Sequence, residues 1–328
     1  MSKVLKFGGA SVKSPKAIYN LKEIVSSYQE NLVIVISAID KTTNKLELVW
    51  KNYIKNESIK ATEIANEIIK FHEGIISDLE LNNNSFLKLF DDLKLELVDY
   101  IRAKTKQENN ISYSKIVSFG ELFSTLIISS YLNKEGVENK WIDAREFIKT
   151  SKIATDSGVN WGETKTKINS ILSKDKSYIT QGFIGSNLDG ETTTLGREGS
   201  DFSAAIFAWS MDAQEVVIWK DVDGLLNADP KWFNKTHILK KISYKEAIEL
   251  SYLGASVIHP NTVKPLENKN IPLTIRSFIK KEHEGSSISK VGKDDNRIPS
   301  IIYKPNQILL SISSKDYSFI FEDHISDI

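Results

Sequence analysis

The uninterrupted apolar run Leu32–Ile36, Leu-Val-Ile-Val-Ile, constrains the fold more than any other feature of the chain. A strand buried on both faces has this pattern, and such strands are typical of parallel sheets. Upstream, residues 4–7 form another apolar stretch, which Gly8-Gly9 ends. Ser14-Pro15 then has the pattern of a helix start, a capping serine followed by proline. A helix from there to about Tyr28 makes the opening a strand–helix–strand unit with parallel strands.

The rest of the chain repeats this alternation. Further strands are predicted at residues 116–117, 140–142, 177–180, 216–219 and 271–275. Helical patterns lie between them, for example at residues 202–209 and 244–253. Residues 45–106 carry apolar side chains at three- and four-residue spacing, which predicts a helical excursion. The pattern therefore predicts an α/β fold whose mainly parallel central sheet is covered by helices on both faces.

Three segments do not fit the alternation. Residues 185–199 are rich in glycine and threonine and are predicted to form a loop, and residues 221–230 form a second turn-rich segment. After Pro305, residues 308–313 and 317–321 have the pattern of two successive β segments.

Composition excludes several classes of function. Lysine plus arginine and aspartate plus glutamate both number 43, so net charge gives no reason to expect a nucleic-acid or membrane partner. The chain has no cysteine, which excludes disulfides and thiolate chemistry. Its five histidines show no metal-ligand spacing and are interpreted as structural or solvated. No uninterrupted apolar stretch approaches the roughly 18 residues of a membrane span, and the N-terminus has no signal-peptide pattern. We expect a cytoplasmic protein.

Two segments carry residues suited to phosphate chemistry. Residues 6–12, Lys-Phe-Gly-Gly-Ala-Ser-Val, end the first strand with two glycines, which let a backbone approach an anion, and a lysine, which supplies a cation. The alternative is a strand-to-helix turn that needs glycine for its dihedral angles. Residues 192–201 combine hydroxyls and glycines with Arg197 and Asp201 before a helix, and an arginine can fork onto a carboxylate or phosphate. Asp201 could instead be the helix N-cap.

Two further segments are ambiguous when each is taken alone. Glu121 follows Gly120, where a glycine turn is predicted to open a helix, so a first-turn glutamate favoured by the helix dipole explains it equally well. Residues 219–224, Trp-Lys-Asp-Val-Asp-Gly, end a buried strand, and ligands of open α/β sheets lie at the carboxyl ends of strands.

In this order, the motifs resemble those of the aspartate kinase family. The resemblance rests on residues 6–12, Phe-Gly-Glu-Leu at 119–122, Thr-Thr-Leu-Gly-Arg-x-Gly-Ser-Asp at 193–201 and Ala-Asp-Pro at 228–230, and it runs from about Lys3 to Tyr303. It implies the amino-acid kinase fold, a three-layer αβα sandwich, with the amino acid over the N-terminal part and ATP over the C-terminal part. It also implies a catalytic domain at residues 1–303 and the start of an incomplete ACT regulatory domain at residues 304–328.

The resemblance also implies roles for individual residues. Lys6 and Asp201 would be catalytic, with Asp201 holding Lys6 or nearby phosphate-binding groups. The residues around aspartate would be Ser37, Thr43, Glu121, Arg197, Glu198, Gly199 and Ser200. The residues around ATP and its phosphates would be Lys6, Phe7, Gly8, Gly9, Ser11, Lys220, Asp221, Leu226, Lys231, Ser256 and Val257.

Four positions depart from the family pattern. Glu198 stands where glycine is usual, Lys220 where threonine is common, Leu226 where tyrosine is frequent and Ser256 where lysine is frequent. The last three fall in the ATP half, and Lys220 could compensate for the cation missing at Ser256.

The implied reaction is phosphoryl transfer from ATP to the side-chain carboxylate of L-aspartate. A carboxylate is ionised at neutral pH, so no general base is needed, and catalysis reduces to positioning and charge neutralisation. Lys6 and a Mg²⁺ ion held mainly through the phosphates would supply that neutralisation. Arg197 suits the α-carboxylate, and Glu121 suits the ammonium group.

Several alternatives remain open at the level of sequence. They are a kinase for glutamate or N-acetylglutamate, a non-catalytic regulator on the same fold, and a bifunctional parent protein fused to homoserine dehydrogenase. Glu121 argues against the acetylated substrate, which has no ammonium group. Partners are expected to be the two small substrates, with a homodimer or higher homo-oligomer when the ACT domain is intact.

Overall fold

The computed structural model describes residues 3–103, 108–151, 155, 158–173, 175–253, 257–291 and 299–308, with the backbone alone at Ile171. The helices are α1 Pro15–Ser26, α2 Thr42–Ile54, α3 Ser58–Asp78, α4 Asn84–Ala103, α5 Asn109–Lys134, α6 Ala144–Phe147, α7 Trp161–Ile171, α8 Gly199–Met211, α9 Tyr244–Leu253 and α10 Pro260–Lys269. The strands are β1 Lys3–Phe7, β2 Leu32–Ile36, β3 Lys140–Ile142, β4 Tyr178–Gln181, β5 Ile184–Ser186, β6 Thr192–Thr194, β7 Val216–Lys220, β8 Lys241–Ser243, β9 Leu273–Ser277 and β10 Ser286–Ser289.

Eight strands form one central sheet in the order β3-β4-β2-β1-β7-β9-β10-β8. Only the pairing of β10 with β9 is antiparallel. Helices flank this sheet, which is the predicted three-layer α/β architecture. The opening unit is confirmed: β1 pairs in parallel with β2, all five residues of β2 are buried, and the Ser14 side chain accepts a hydrogen bond from the Ala17 backbone N–H at the start of α1.

The central strands bring the carboxyl ends of four sequence segments together. β1 lies between β2 and β7, with Lys6 level with Ile218 and Phe7 level with Trp219. β2 in turn pairs with β4. The loops that follow these strands therefore start from one edge of the sheet, where ligands of open α/β folds bind.

Helix α5 corrects two sequence predictions. Residues 116–117, predicted as a strand, lie inside this helix, and Gly120 does not open a helix but sits in the middle of it. Buried positions run through most of its length, so the helix has no polar face that would reveal its period. A Cβ on Gly120 would lie 2.9 Å from the Ala38 Cβ, so glycine here permits close packing instead of a turn.

The same helix is long and apolar enough to satisfy the criteria for a membrane span, alone among the elements of the described ranges. However, 83% of its apolar window is buried inside the fold, which is typical of a core helix.

Two further sequence predictions concern residues 185–199 and the segment after Pro305. Residues 185–199, predicted as a loop, contain most of the antiparallel hairpin β5–β6. The two β segments predicted after Pro305 begin with Ile308, and residues 309–328 lie outside the described residues.

Candidate active site

The candidate site is assembled from the loops at the carboxyl edge of the sheet. Backbone hydrogen bonds join these loops: the Ser37 N–H donates to the Phe7 carbonyl at 3.1 Å, and the Gly182 N–H donates to the Ile36 carbonyl at 3.1 Å. The residues after β1, β2 and β4 are therefore fixed relative to one another at one edge.

A buried charge cluster lies at the centre of this edge. The Lys6 Nζ, from β1, is 2.6 Å from Asp201 Oδ1, and the Lys220 Nζ, from β7, is 2.9 Å from Asp201 Oδ2. Asp201 is 2% exposed and Lys6 is 7% exposed. Asp201 lies in the first turn of α8 and is not its N-cap, which is Glu198. The expectation that Asp201 holds Lys6 is thus matched by direct contact, and the N-cap interpretation is wrong.

The electrostatics of the cluster keep Asp201 ionised. Burial alone would raise the pKa of Asp201, but the Lys6 and Lys220 ammonium groups outweigh it and hold the pKa below its ordinary value. Burial alone would lower the pKa of Lys220, and Asp201, with Glu198, reverses that and raises it. The three side chains in direct contact carry one excess positive charge, which suits an anionic ligand, while the acidic Glu198 and Asp221 also act on Lys220.

The two glycines after β1 have different roles. A Cβ on Gly8 would lie 3.4 Å from the Lys6 Nζ, so its absence leaves space beside the amine. Gly8 has φ −77° and ψ 166°, a conformation open to any residue, so the alternative that it is needed for its dihedral angles does not hold. A Cβ on Gly9 would lie 2.7 Å from the Ala38 carbonyl oxygen. Gly9 therefore packs against the loop after β2.

Phe7 and Ser11 support this edge from inside the fold. The Phe7 ring stacks on Trp219, with ring centroids 6.3 Å apart, and the Ser11 hydroxyl donates to the Trp219 carbonyl at 3.4 Å. Both residues are buried. Their described contacts hold β1 and β7 together.

Glu121 reaches the site from α5. Its Oε1 accepts a hydrogen bond from the Ala38 backbone N–H at 3.3 Å, next to Ser37, while its buried Oε2 has no hydrogen-bond partner among the described residues. Burial raises the pKa of Glu121 to about 8, because few groups offset the loss of water. Without a ligand, the side chain is therefore mainly neutral at pH 7. This buried and unpartnered oxygen can donate a hydrogen bond to a ligand while it is protonated, and it can accept one once the carboxyl group is ionised.

Arg197 and Thr43 line one cavity of about 550 Å³. Arg197 is exposed and its guanidinium has no ion pair with any residue of the described ranges. Its five N–H donors are therefore available for a carboxylate or phosphate. The cavity brings together these two predicted substrate residues from α2 and from the segment before α8.

The segment from Glu198 to Ser200 is tightly packed. Glu198 adopts a left-handed conformation with φ 52°, which accounts physically for the glycine that the family pattern has at this position. A Cβ on Gly199 would lie 2.8 Å from the Phe183 ring, and a Cβ on Gly182 would lie 2.4 Å from the Ser200 Cβ. Phe183 is itself left-handed, with φ 69°. Two non-glycine residues with positive φ, Glu198 and Phe183, at one candidate site fit a geometry fixed for binding.

The predicted nucleotide residues are connected less closely. The Lys220 ammonium donates to the Val257 backbone carbonyl. Leu226 forms an isolated bridge with Ile238 in the loop after β7, and Lys231 is exposed beyond it. Asp221 is also exposed, and its charge contributes to the raised pKa of the neighbouring Lys220. No described contact joins Leu226 or Lys231 to the charge cluster. Ser256 lies outside the described residues.

Sequence reasoning missed part of the wall of the cavity. The lining residues that no motif indicated are Glu47, Trp50, Asn110, Tyr113 and Thr155. Phe183 also lines the cavity, with Thr194 and Gly196 from the indicated segment 192–201. The Tyr113 hydroxyl donates to Glu47 Oε1 at 3.1 Å, and Trp50 packs edge-on against Tyr113. Glu47 lies four residues after Thr43 on α2, so helical periodicity could have placed it on the same face as Thr43.

Among the described residues, no three histidine, aspartate or glutamate side chains converge to hold an ion. Two of the histidines have structural roles: the buried His72 Nδ1 pairs with the Ile68 carbonyl at 2.8 Å, and His259 caps α10. His324 lies outside the described residues.

Comparison with known proteins places this geometry in context. The model of the amino acid kinase family matches residues 1–277. The chain is 32% identical over 324 residues to aspartokinase 1, chloroplastic, of Arabidopsis thaliana, covering 95% of this chain and 56% of that protein. It is 33% identical over 309 residues to the bifunctional aspartokinase/homoserine dehydrogenase 2, chloroplastic, of the same plant, covering 90% of this chain and 33% of that protein. The chain thus spans between a third and just over half of these relatives' lengths.

A solved structure is similar over the same region. The crystal structure of E. coli aspartokinase III in complex with aspartate and ADP matches with a TM-score of 0.81 and 28% sequence identity, covering 90% of this chain and 66% of that one.

Proposed function

This chain belongs to the amino acid kinase family, and from that premise we propose that it is an aspartate kinase. It transfers the γ-phosphoryl group of ATP to the side-chain carboxylate of L-aspartate, giving ADP and 4-phospho-L-aspartate. The observation that carries the proposal is the buried Lys6–Asp201–Lys220 cluster, with open space at Gly8 beside the Lys6 amine. The similarity to a structure that holds aspartate and ADP supports this choice of substrates.

The reaction needs positioning more than proton transfer. A carboxylate oxygen of aspartate attacks the γ-phosphorus, and the bond from that phosphorus to the β,γ-bridging oxygen breaks, with its electron pair leaving on ADP. The attacking carboxylate has an ordinary pKa of about 4, so it is already ionised at neutral pH. The protein's task is to bring two anions together and to neutralise the charge on the transferring group.

Lys6 carries the charge neutralisation in this proposal. Its ammonium group is fixed by Asp201 at the end of β1. Because the lysine is preorganised in a buried site, it need not reorganise as charge develops in the transition state. Gly8 leaves the approach to the amine open, while Gly9, Ser11 and Phe7 hold the backbone that carries it.

Arg197 and Glu121 recognise the two charged groups of the amino acid backbone. The Arg197 guanidinium binds the α-carboxylate, with Thr43 in the same cavity. On the strength of their sequence positions, the other proposed aspartate residues are Ser37, Glu198, Gly199 and Ser200. The Oε2 of Glu121 accepts from the α-ammonium. Since the pKa of Glu121 is about 8, pairing with an ammonium group requires loss of its proton, so aspartate binding at pH 7 is accompanied by proton release.

ATP occupies the part of the edge after β7. Asp221, Leu226, Lys231, Ser256 and Val257 are the proposed nucleotide residues, on the strength of their sequence positions. Mg²⁺ would neutralise phosphate charge and would be held mainly by phosphate oxygens and water, which is its usual mode of binding beside a nucleotide. We propose further that residues 1–303 form the catalytic domain, that an ACT-like region begins at residue 304, and that the protein works as a homo-oligomer.

The experiment is ATP-dependent formation of aspartyl hydroxamate by the purified chain in the presence of hydroxylamine. L-Aspartate should be the preferred substrate over L-glutamate and N-acetyl-L-glutamate. The acetylated substrate is an informative comparison, because a neutral Glu121 could donate to its carbonyl in place of accepting from an ammonium. Equal or faster hydroxamate formation from either of the other two would overturn the choice of aspartate.

One variant tests the assignment of Arg197. Arg197→Lys should raise the KM for aspartate far more than the KM for ATP, because lysine cannot reproduce the two-pronged contact. An effect confined to the KM for ATP would show that the two halves of the site are assigned the wrong way round.

A further inference from the structure

Lys220 contacts several parts of the fold, and the sequence around it does not predict these contacts. It is the last residue of β7, and its side chain is 17% exposed. Its ammonium group contacts Asp201 Oδ2 at 2.9 Å and also donates to the backbone carbonyl of Val257. Val257 precedes His259, the N-cap of α10. One buried side chain thus joins three separate parts of the fold.

The carboxylate of Asp201 divides its two oxygens between two lysines. Oδ1 faces Lys6 and Oδ2 faces Lys220. A carboxylate held at both oxygens has a fixed orientation, whereas one held at a single oxygen can rotate about its bond to Cβ. The direction in which Asp201 holds the Lys6 amine therefore depends on Lys220.

The Val257 contact extends this connection towards the proposed nucleotide half. The contacts run from Lys6 to Asp201, from Asp201 to Lys220, and from Lys220 to the Val257 carbonyl. They link β1, α8, β7 and the segment before α10. Two of the three donors of the Lys220 ammonium are used in these contacts, so its position is set by the protein.

We propose that Lys220 is a positioning residue that orients Asp201, and through it the Lys6 amine, relative to the segment at Val257. The proposal deepens the kinase function and rests on it. On this view Lys220 sets the rate of phosphoryl transfer through Lys6, and it contributes little to aspartate affinity, because Arg197 and Thr43 line a separate cavity.

The test compares Lys220→Met with Lys220→Arg in the full chain, with kcat and both KM values measured. Lys220→Met should lower kcat by about 10-fold or more, with the KM for aspartate changed by less than about 2-fold, since only transition-state positioning is lost. Lys220→Arg keeps a cation that can bridge Asp201 and the Val257 carbonyl, and it should restore most of kcat. A kcat close to wild type in Lys220→Met, or a change confined to the KM for ATP, would overturn the proposal.

A double-mutant cycle separates positioning from direct contact with phosphate. In an Asp201→Asn background, Lys220→Met should change kcat by less than about 3-fold, because its route to Lys6 is already broken. If the fold-changes in kcat of Lys220→Met and Asp201→Asn multiplied in the double variant, Lys220 would act without Asp201, contrary to the proposal. Lys220→Gln, which is uncharged, polar and slightly shorter than lysine, serves in place of the methionine variant if that variant does not fold.

Hydrogen exchange supplies a measurement that does not depend on turnover. Lys220→Met should increase amide exchange in both the first turn of α8 and the first turn of α10, relative to the rest of the chain, because the link between them is lost. Unchanged exchange in either turn would count against the proposal. If wild-type protein showed no hydroxamate formation while this exchange pattern appeared, the kinase function would fail, but the structural link from Lys220 to α8 and α10 would stand.

Discussion

Lys6 is at once the proposed catalytic cation and part of a buried ion pair, so its replacement has two separable effects. Lys6→Met should lower kcat by about 100-fold or more, since removal of one electrostatic donor to a transition state costs about 3–4 kcal/mol. The measurement is steady-state kcat with aspartate and ATP. Lys13→Met is the matched control, because Lys13 is exposed just after the Gly9–Val12 turn and should leave kcat unchanged.

Lys6→Met should destabilise the protein less than the loss of the only cation from a buried ion pair would. Breaking such a pair typically costs about 3–5 kcal/mol, but Lys220 remains on Asp201. Adding Asp201→Asn to Lys6→Met should recover stability without recovering turnover. Recovery of turnover in the double variant would show that Lys6 serves only to neutralise Asp201.

Glu121 should make stability depend on pH in an unusual direction for a carboxyl group. Its folded pKa of about 8 is above its unfolded value, so its contribution to stability is present at low pH and is lost as pH rises through about 8. Glu121→Gln keeps the acceptor for the Ala38 N–H and cannot ionise. Between about pH 5 and pH 9, without substrate, wild-type protein should lose on the order of 3–5 kcal/mol of unfolding free energy relative to this variant. Denaturant unfolding at several pH values measures it, and parallel curves for the two proteins would contradict the burial of an ionisable group.

At the scale of elements, replacing glycine by alanine should have opposite effects on stability at two positions. Gly9→Ala should destabilise the protein by about 1–3 kcal/mol, because the new Cβ would lie 2.7 Å and 2.9 Å from the backbone carbonyl oxygens of Ala38 and Asp40. Gly74→Ala, inside α3, meets no atom within 4 Å and should stabilise it by about 0.5–1 kcal/mol. Thermal unfolding of both variants checks the signs, and a stable Gly9→Ala protein would show that the approach of these two loops is not tight.

The sequence predicted the elements whose periodicity or caps are local. β2 is recognisable from its apolar run, α1 from Ser14-Pro15 and α9 from its amphipathic spacing. α5 was misread in part because buried residues surround it on nearly all sides, so the cause of its pattern lies in other elements. The hairpin β5–β6 was missed because its short strands consist largely of threonine, serine and glycine.

The candidate site likewise combines residues that local motifs indicate with contacts that only the folded chain creates. The sequence indicated Lys6 and Asp201 as candidates, yet their contact spans 195 positions and depends on the pairing of β1 with β7 and on the start of α8. Glu121 was expected at a helix start and instead reaches Ala38 from mid-helix. Its raised pKa follows from burial, which no local motif reveals.

At the scale of the whole molecule, residues 299–308 return to the loop that follows β7. The Ile301 N–H donates to the Asn227 carbonyl at 2.7 Å, and the Asn227 side-chain amide donates to the Pro299 carbonyl at 3.2 Å. The Tyr303 ring packs edge-on against Trp232, with ring centroids 4.9 Å apart. These contacts surround the stretch that contains Leu226 and Lys231, two of the proposed nucleotide residues.

Loss of the contact between Tyr303 and Trp232 should therefore change the KM for ATP and leave the KM for aspartate unchanged. Tyr303→Ala removes the packing against Trp232, and we expect the KM for ATP to rise by about 2–5-fold, since an aromatic pair contributes about 0.5–1.5 kcal/mol. The KM for aspartate should not change, because Arg197 and Thr43 line a cavity that includes no residue of this segment. Ile308→Ala, at a side chain that is 85% exposed, is the control and should alter neither constant. Equal rises in both KM values for Tyr303→Ala would mean that the segment supports the fold as a whole, and that the loop after β7 is not specifically part of the nucleotide site.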